Sequence, residues 1–179
     1  AITPPEMQVR SVSHVGQRIV FHANPIDSPS VLHIWSYDIQ ASSLVCIHDG
    51  NLTSSAVCND NLTVARTNSV THTRASFHIL LSDDGSDNDV REIANYAEPL
   101  PFLSTTQFHR VGDRAIPIAV LTPRNPGTSR LPVLFDPYGG PHAQRVVASR
   151  AAYNSSQWFA DQGFVVVIVD NTGTPGKGS

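Results

Sequence analysis

The sequence Asp-Pro-Tyr-Gly-Gly-Pro-His at residues 136–142 is the segment best suited to binding a reacting molecule. Its two adjacent glycines follow an apolar stretch and allow the backbone to approach a ligand closely. Ligands of open α/β sheets bind at the carboxyl ends of strands, so this turn is a candidate ligand-binding loop. The alternative is a tight turn that only reverses the chain.

A second glycine-rich segment, Gly173–Gly178, also follows an apolar strand, where phosphate-binding loops occur. A P-loop requires glycine, four residues and then Gly-Lys-Ser/Thr. Here Asn171 occupies the first glycine position, and Gly178 follows Lys177. The dinucleotide pattern G-x-G-x-x-G also fails, so a nucleotide-binding α/β protein is a disfavoured alternative.

Other reactive residues do not form recognisable motifs. The 8 histidines lack the H-x-x-x-H and H-E-x-x-H spacings and form no cluster with cysteine, so we expect no metal and no cofactor. No G-x-S-x-G nucleophile elbow occurs. Cys46 and Cys58 could face each other across a hairpin, but two cysteines do not make a disulfide scaffold, and free thiols are favoured.

Composition excludes several classes of partner. The net charge is −3, and the basic residues are scattered, so neither nucleic acid nor an anionic membrane is expected. The longest apolar run, Phe164–Val169, is too short to span a bilayer. The sequence shows no signal-peptide pattern, which favours a cytoplasmic location without establishing it.

Residues 1–104 are predicted to form short alternating strands separated by breakers such as Asn24-Pro25 and Asp49-Gly50. The candidate strands are Arg18–His22, Leu32–Ile39, Leu44–His48, Ala56–Cys58, Leu62–Thr67 and Ser76–Leu81. Such an antiparallel meander is long enough for about two propeller blades of roughly 40–45 residues. Because no clean repeat is visible, periodicity alone favours a small sandwich. Val90–Tyr96 is weakly helical or extended.

A domain boundary is predicted near Ser104, followed by a hairpin of Thr105–Arg110 and Arg114–Leu121. Pro117 cannot donate to a ladder, which predicts an edge strand. Pro132–Asp136 and Phe164–Asp170 are apolar runs typical of parallel strands covered on both faces. Between them a helix is predicted, with Asn154 and Gln157 as a capping box and Gly163 as its stop. The resulting βαβ unit predicts an open mixed sheet.

The chain resembles the prolyl oligopeptidase family of serine peptidases, within it the dipeptidyl peptidase IV-like branch. The resemblance is carried by LPVLFDPYGGPHAQRV at 131–146 and WFADQGFVVVIVDNTGTPGKG at 158–178. HIWSYDI at 33–39 and AEPLP at 97–101 add weaker support. The C-terminal match, in order and spacing, is specific to this family among α/β-hydrolases.

The resemblance implies that residues 1–104 are the last blades of a β-propeller and that 105–179 begin an α/β-hydrolase domain, replacing the sandwich. It implies hydrolysis of peptide bonds, after proline or a small residue, through an acyl-enzyme. Tyr138 matches the family tyrosine whose hydroxyl helps to stabilise the oxyanion. The family's catalytic serine, aspartate and histidine would follow Ser179, so the chain alone is expected to be inactive.

The chain departs from the family pattern at several positions. Thr172 stands where relatives usually have a buried arginine and cannot form its fork of hydrogen bonds. Pro137 replaces a β-branched residue and removes an N–H. The acidic pair that holds the substrate amine in dipeptidyl peptidases is not represented by Glu92 or Glu98. Without the next strand of the sheet, we expect self-association through an unpaired edge. A non-catalytic binding module remains the alternative.

Overall fold

A computed structural model describes residues 1–25, 28–48, 52–59, 61–80 and 90–176. The chain divides into two compact units. Unit 1 comprises Ala1–Ser69 and Arg74–Pro99, and unit 2 comprises Val70–Thr73 and Leu100–Ser179. The predicted assignment of residues 1–104 and 105–179 to two types of domain stays a prediction. Within the described ranges, no helix is both long and apolar enough to cross a bilayer.

Unit 1 consists of two four-stranded antiparallel sheets, each made of four consecutive strands. The strands are Gln8–Val15 (β1), Arg18–Asn24 (β2), His33–Asp38 (β3), Ser43–His48 (β4), Thr53–Cys58 (β5), Thr63–Asn68 (β6), Ser76–Leu80 (β7) and Val90–Ile93 (β8). Sheet 1 has the order β1-β2-β3-β4, and sheet 2 has the order β5-β6-β7-β8. Each sheet is therefore a meander with neighbouring strands paired in chain order.

The two faces of β2 contribute to two different cores because side chains alternate along a strand. Phe21 and Ala23 pack with Met7 on one side of sheet 1. Val20, on the other side, packs with Ile34 and with Ala65 of sheet 2. The two sheets of unit 1 thus share an apolar contact.

Polar contacts also join these two sheets. The buried guanidinium of Arg18 donates from Nη2 to Thr63 Oγ1 at 3.2 Å. His22 is buried, and its Nε2 accepts the backbone N–H of Ala56 at 2.9 Å. Its Nδ1 lies 3.0 Å from Ser11 Oγ. Because Nε2 accepts, the proton of the neutral ring is on Nδ1.

The six candidate strands between residues 18 and 81 all correspond to strands of the structure, with small differences at their ends. Leu81, the end of the last candidate, lies outside the described residues, as do the predicted turns at Asp49-Gly50 and Asp83-Asp84-Gly85. Strand β1 was not predicted, because bulges interrupt its pairing and Val12 and Val15 are exposed. Val90–Ile93 is extended rather than helical. In the described part of the chain, neither Cys46 nor Cys58 forms a disulfide.

Unit 2 contains a four-stranded mixed sheet of order β11-β12-β10-β9. Its elements are Gln107–Val111 (β9), Ile116–Leu121 (β10), Val133–Tyr138 (β11), a 3-10 helix Arg150–Tyr153, the helix Asn154–Asp161 (α1) and Val165–Asp170 (β12). Strands β11 and β12 are parallel, which confirms the predicted strand–helix–strand unit. The buried apolar core of unit 2 consists of Ala119, Leu121, Val146, Tyr153, Ala160, Val166 and Ile168.

The prediction that the Pro117 strand lies at a sheet edge is wrong, because β10 lies between β9 and β12. Pro117 pairs with Arg110 of β9. Pairing of β10 with β12 begins only at Ile118, so the missing N–H falls outside that ladder.

The predicted capping box is also wrong. The 3-10 helix leads directly into α1, so the backbone is already helical at Asn154, and no side chain caps the helix. The fully buried Gln157 instead accepts the N–H of Thr105 through Oε1 at 2.8 Å. Gly163 ends the helical region with φ 99°, as predicted.

The expectation that both faces of the apolar strands are covered fails for β11. Val133 and Phe135 are 62% and 60% exposed. Leu134, on the opposite face of this strand, packs on the core of unit 2. Within the described chain, one face of β11 therefore stays open to solvent.

We predict that stability falls as the pH drops below about 6.5, the pKa of an unperturbed histidine. Burial lowers the pKa of His22 in the folded chain. The unfolded state therefore binds more protons than the folded state, and the free energy of unfolding decreases as the pH falls toward the folded pKa. Urea unfolding at pH 7.5 and 5.5 measures this loss.

His22→Gln should reduce this pH dependence, because a glutamine oxygen can accept a hydrogen bond without titrating. The exposed His109→Gln variant is the control and should retain it. Equal pH dependence in the wild type and His22→Gln would show that His22 is not the responsible group.

Candidate functional site

The candidate site lies where the parallel strands β11 and β12 end side by side. Tyr138, the last residue of β11, pairs with Asp170, the last residue of β12. The segments that follow are Gly139-Gly140 and 171–176. They leave the sheet at the same end, where both parallel strands have their carboxyl termini. The Asn171 N–H donates to the Tyr138 carbonyl oxygen at 2.7 Å and extends the pairing by one bond.

Glycines allow the two segments to approach each other closely. A Cβ atom placed on Gly173 would lie 2.6 Å from the carbonyl oxygen of Gly139. Real Cβ atoms essentially never come so close to backbone, so this contact requires glycine at 173. This close approach is between the backbones of two loops, and the predicted approach of a ligand to the Gly139-Gly140 turn stays a prediction.

The phenol ring of Tyr138 lies against the glycine turn. A Cβ atom on Gly140 would lie 2.7 Å from the Tyr138 hydroxyl oxygen and 3.0 Å from Cζ. The tyrosine is half-buried and belongs to the strand face that also carries Asp136. Its hydroxyl can donate one hydrogen bond to an electron-rich atom at this edge.

The chain that follows the turn is held by the carboxylate of Asp170, which is fully buried. Oδ1 accepts the N–H of Arg145 at 2.9 Å, and Oδ2 accepts the N–H of Val146 at 2.8 Å. Hydrogen bonds to an ionised acceptor are stronger than neutral ones. The end of β12 therefore fixes the crossover that starts at the end of β11.

A buried phenol adds a second anchor to the same crossover. Tyr153 Oη accepts the N–H of Val147 at 2.9 Å and donates to the carbonyl oxygen of Arg145 at 3.2 Å. Burial raises the pKa of Tyr153 far above its usual value, so the hydroxyl stays protonated and can serve as donor. Tyr153 thus has a structural partner on each side.

The Arg145 side chain forms an ion pair with Asp136 of β11 at 2.5 Å. The two side chains are 36% and 39% exposed. Pairs at such exposure contribute little to stability, typically about 0–1 kcal/mol. The buried Asp170 carboxylate is therefore the main polar anchor of the crossover, and the ion pair orients the Arg145 side chain.

The loop after β12 is ordered by its own short side chains. Thr174 donates from both its N–H and its hydroxyl to the Asn171 carbonyl oxygen, at 3.0 and 2.7 Å. The Thr172 hydroxyl donates to Asn171 Oδ1 at 3.2 Å. Threonine at 172 thus supports local contacts in place of the arginine fork. Lys177 and Gly178, which entered the excluded phosphate pattern, lie outside the described residues.

Of the residues selected from the sequence, Tyr138 and the two glycines lie together at this edge. Sequence reasoning did not select Asp170, Arg145 or Tyr153 as members of the site. An available signal was the acidic residue at the end of the apolar run Phe164–Asp170, since a buried carboxylate requires donors. Among the residues that the structure describes, no group of three potential metal ligands occurs.

No protein-family model and no curated protein matches the chain. Solved structures of peptidases do match, at low sequence identity. Dipeptidyl peptidase 4 of Porphyromonas gingivalis matches with a TM-score of 0.77 and 18% identity, over 99% of this chain and 26% of that chain. A puromycin-hydrolyzing peptidase of Mycobacterium tuberculosis matches with 0.70 and 18%, over 99% and 29%. Pyrococcus horikoshii acylaminoacyl peptidase matches with 0.67 and 14%, over 95% and 26%.

This likeness confirms, at the level of the fold, the resemblance to prolyl oligopeptidase-type enzymes predicted from the sequence. The chain spans about a quarter of the length of the structures it matches. It has the fold of a part of these enzymes.

We predict that Asp170→Ala lowers the free energy of unfolding by about 3–5 kcal/mol, because it leaves the N–H groups of Arg145 and Val146 without their acceptor. Asp170→Asn keeps one carbonyl acceptor and should cost less, about 1–2 kcal/mol. Urea unfolding followed by circular dichroism measures both values.

The control for this prediction is Asp113→Ala in the exposed β9–β10 turn, which should change stability by less than about 0.5 kcal/mol. If Asp170→Ala behaved like this control, the carboxylate would not be the anchor of the crossover.

Proposed function

We propose that this chain is part of a serine peptidase of the prolyl oligopeptidase type, related to dipeptidyl peptidase IV. The observation that carries the proposal is the position of Tyr138. It ends a parallel strand beside a glycine turn, in a chain whose fold matches part of such peptidases. In α/β-hydrolases this edge of the sheet receives the substrate carbonyl.

In this proposal residues 1–104 are the last blades of a β-propeller. Two consecutive four-stranded meanders that share an apolar contact support this assignment, because propellers are built by repeating such units. Residues 105–179 begin an α/β-hydrolase domain, supported by the hairpin β9–β10 and the parallel pair β11–β12.

Tyr138 would act on the transition state of peptide hydrolysis. When a serine attacks the peptide carbonyl, negative charge develops on its oxygen, and the phenolic hydroxyl can donate a hydrogen bond to it. Such a donor typically contributes ~3 kcal/mol because it is already oriented before the charge appears. The serine, its histidine and the aspartate would come from polypeptide outside these residues, and the acyl-enzyme would then be hydrolysed by water.

The substrate in this proposal is a peptide, cleaved after proline or a small residue, as the resemblance implies. Tyr138 acts on the carbonyl group and not on the side chains beside it, so it does not distinguish dipeptidyl from other peptidase activity. A non-catalytic role as a peptide-binding module is the rival interpretation, and the measurement of turnover separates the two.

We predict that the 179-residue chain does not hydrolyse a Gly-Pro chromogenic amide. A polypeptide that also carries a downstream hydrolase segment with its G-x-S-x-G serine should do so. In that polypeptide Tyr138→Phe should lower kcat by about 10²–10³-fold with little change in KM, because the donor acts mainly in the transition state.

If the 179-residue chain did hydrolyse the amide, and a serine-directed inhibitor abolished this turnover, the expectation that the catalytic serine lies outside these residues would be contradicted. An unchanged kcat in the Tyr138→Phe variant would exclude a role of the Tyr138 hydroxyl in the oxyanion hole.

We also propose that the isolated chain self-associates through β11. This strand has the outer position in its sheet among the described strands, and Val133 and Phe135 are largely exposed. An apolar edge strand readily pairs with another chain. Phe135→Lys should therefore shift the chain toward monomer in light scattering coupled to gel filtration.

The matched control is Val57→Lys in unit 1, where the valine is 80% exposed. This variant adds the same charge to a residue outside β11 and should leave the association unchanged. A monomeric wild-type chain would contradict the proposal.

A further inference from the structure

Three glycines at the edge formed by β11 and β12 have different surroundings. A Cβ atom on Gly139 would make ordinary contacts, with Asn171 Cβ at 3.5 Å and Nδ2 at 3.6 Å. On Gly173 it would meet the backbone oxygen of Gly139 at 2.6 Å. On Gly140 it would meet a side chain, with the Tyr138 hydroxyl oxygen at 2.7 Å and Cζ at 3.0 Å.

These differences predict three different effects of an added methyl group. At Gly139 it fits the available space. At Gly173 it requires a backbone shift, because the atom it meets belongs to the main chain. At Gly140 the conflicting atoms are the far end of a tyrosine, which can move by side-chain rotation while the backbone stays in place.

The backbone conformations at these glycines do not separate them. Among the described residues, the glycines with positive φ are Gly112, Gly163 and Gly176. None of the three glycines at the carboxyl ends of β11 and β12 belongs to this group, so a left-handed φ does not disfavour alanine at any of them. The contrast between Gly140 and its neighbours is therefore one of space, not of strain.

We infer that Gly140 is a positioning residue for Tyr138. Because Gly140 lacks a side chain, the phenolic hydroxyl of Tyr138 can lie against the backbone two residues after its own. Any larger residue at position 140 displaces that hydroxyl. The steric relation stands on the geometry alone, whereas its consequence for catalysis rests on the proposed function.

The position of the hydroxyl matters because an oxyanion donor must lie within about 2.7–3.1 Å of the charged oxygen. A displacement of ~1 Å in a catalytic group can cost about 10²-fold in rate. Gly140→Ala keeps the hydroxyl in the protein but moves it, so its effect should resemble removal of the hydroxyl.

The 179-residue chain has 4 tyrosines. The first experiment replaces them with 3-fluorotyrosine and records the ¹⁹F NMR spectrum. Tyr138→Phe assigns the signal of Tyr138 by its loss. Gly140→Ala should shift this signal and leave those of the other tyrosines in place, whereas Gly139→Ala should leave all of them nearly unchanged. Equal Tyr138 signals in Gly140→Ala and the wild type would overturn the inference.

Thermal unfolding provides a second measurement in case a variant folds poorly. Gly140→Ala should unfold close to the wild type, and Gly173→Ala should unfold at a clearly lower temperature. A Gly140→Ala variant as destabilised as Gly173→Ala would show that the methyl group displaces backbone and would contradict the inference.

The catalytic consequence is tested in the polypeptide that carries the downstream hydrolase segment. Gly140→Ala should lower kcat about 10²-fold with little change in KM, and Gly140→Ala combined with Tyr138→Phe should be no slower than Tyr138→Phe alone. Gly127→Ala, in an exposed loop with open space around the glycine, is the control. Additive losses in the double variant would mean that Gly140 acts independently of Tyr138.

Failure of the inference and failure of the proposed function are distinguishable. An unchanged ¹⁹F signal in Gly140→Ala rejects the inference whatever the activity. A shifted signal together with undiminished turnover in Tyr138→Phe rejects the role of the hydroxyl in catalysis and retains the steric relation.

Discussion

The candidate site depends on the buried carboxylate of Asp170. This group ends β12 and accepts the N–H groups of Arg145 and Val146, so it ties the end of one strand to the crossover that leaves its neighbour. A buried charge is tolerated only when donors surround it, and the crossover supplies them from its backbone. The hydroxyl of Tyr153 fixes the next residue. The position of the chain after Tyr138 is thus set by two fully buried side chains, those of Asp170 and Tyr153.

Within this frame the glycines determine how close the two loops can come. The backbone oxygen of Gly139 lies where a side chain of residue 173 would be, and the phenol of Tyr138 lies where a side chain of residue 140 would be. The site thus combines the buried carboxylate of Asp170 with two glycines, Gly140 and Gly173, at which a side chain would collide with its neighbours. This arrangement is compatible with the peptidase proposal.

Much of the architecture could be predicted from the sequence. Alternation of apolar residues located the middle strands of unit 1. The apolar runs Pro132–Asp136 and Phe164–Asp170, with the helix between them, predicted the parallel pair. Strand β1 was missed because its valines are exposed and its pairing is bulged. The position of Pro117 was misjudged because a proline rule describes one missing N–H and not the order of strands in a sheet. Gln157 likewise does not cap its helix, because its side chain accepts the N–H of Thr105, a residue distant in sequence.

For the site, the sequence by itself determined which chemical groups are available: a tyrosine, two glycines after an apolar strand, and a resemblance that assigns them a role. These depend on residue type and local spacing, which a sequence displays directly. Only the tertiary structure decided which groups are neighbours. Asp170 meets the Arg145 amide, and Gly173 meets Gly139, because parallel strands bring their carboxyl ends together across a long crossover. Such contacts follow from sheet register, which depends on which strand face is buried against the core and on the geometry of the connection between the strands.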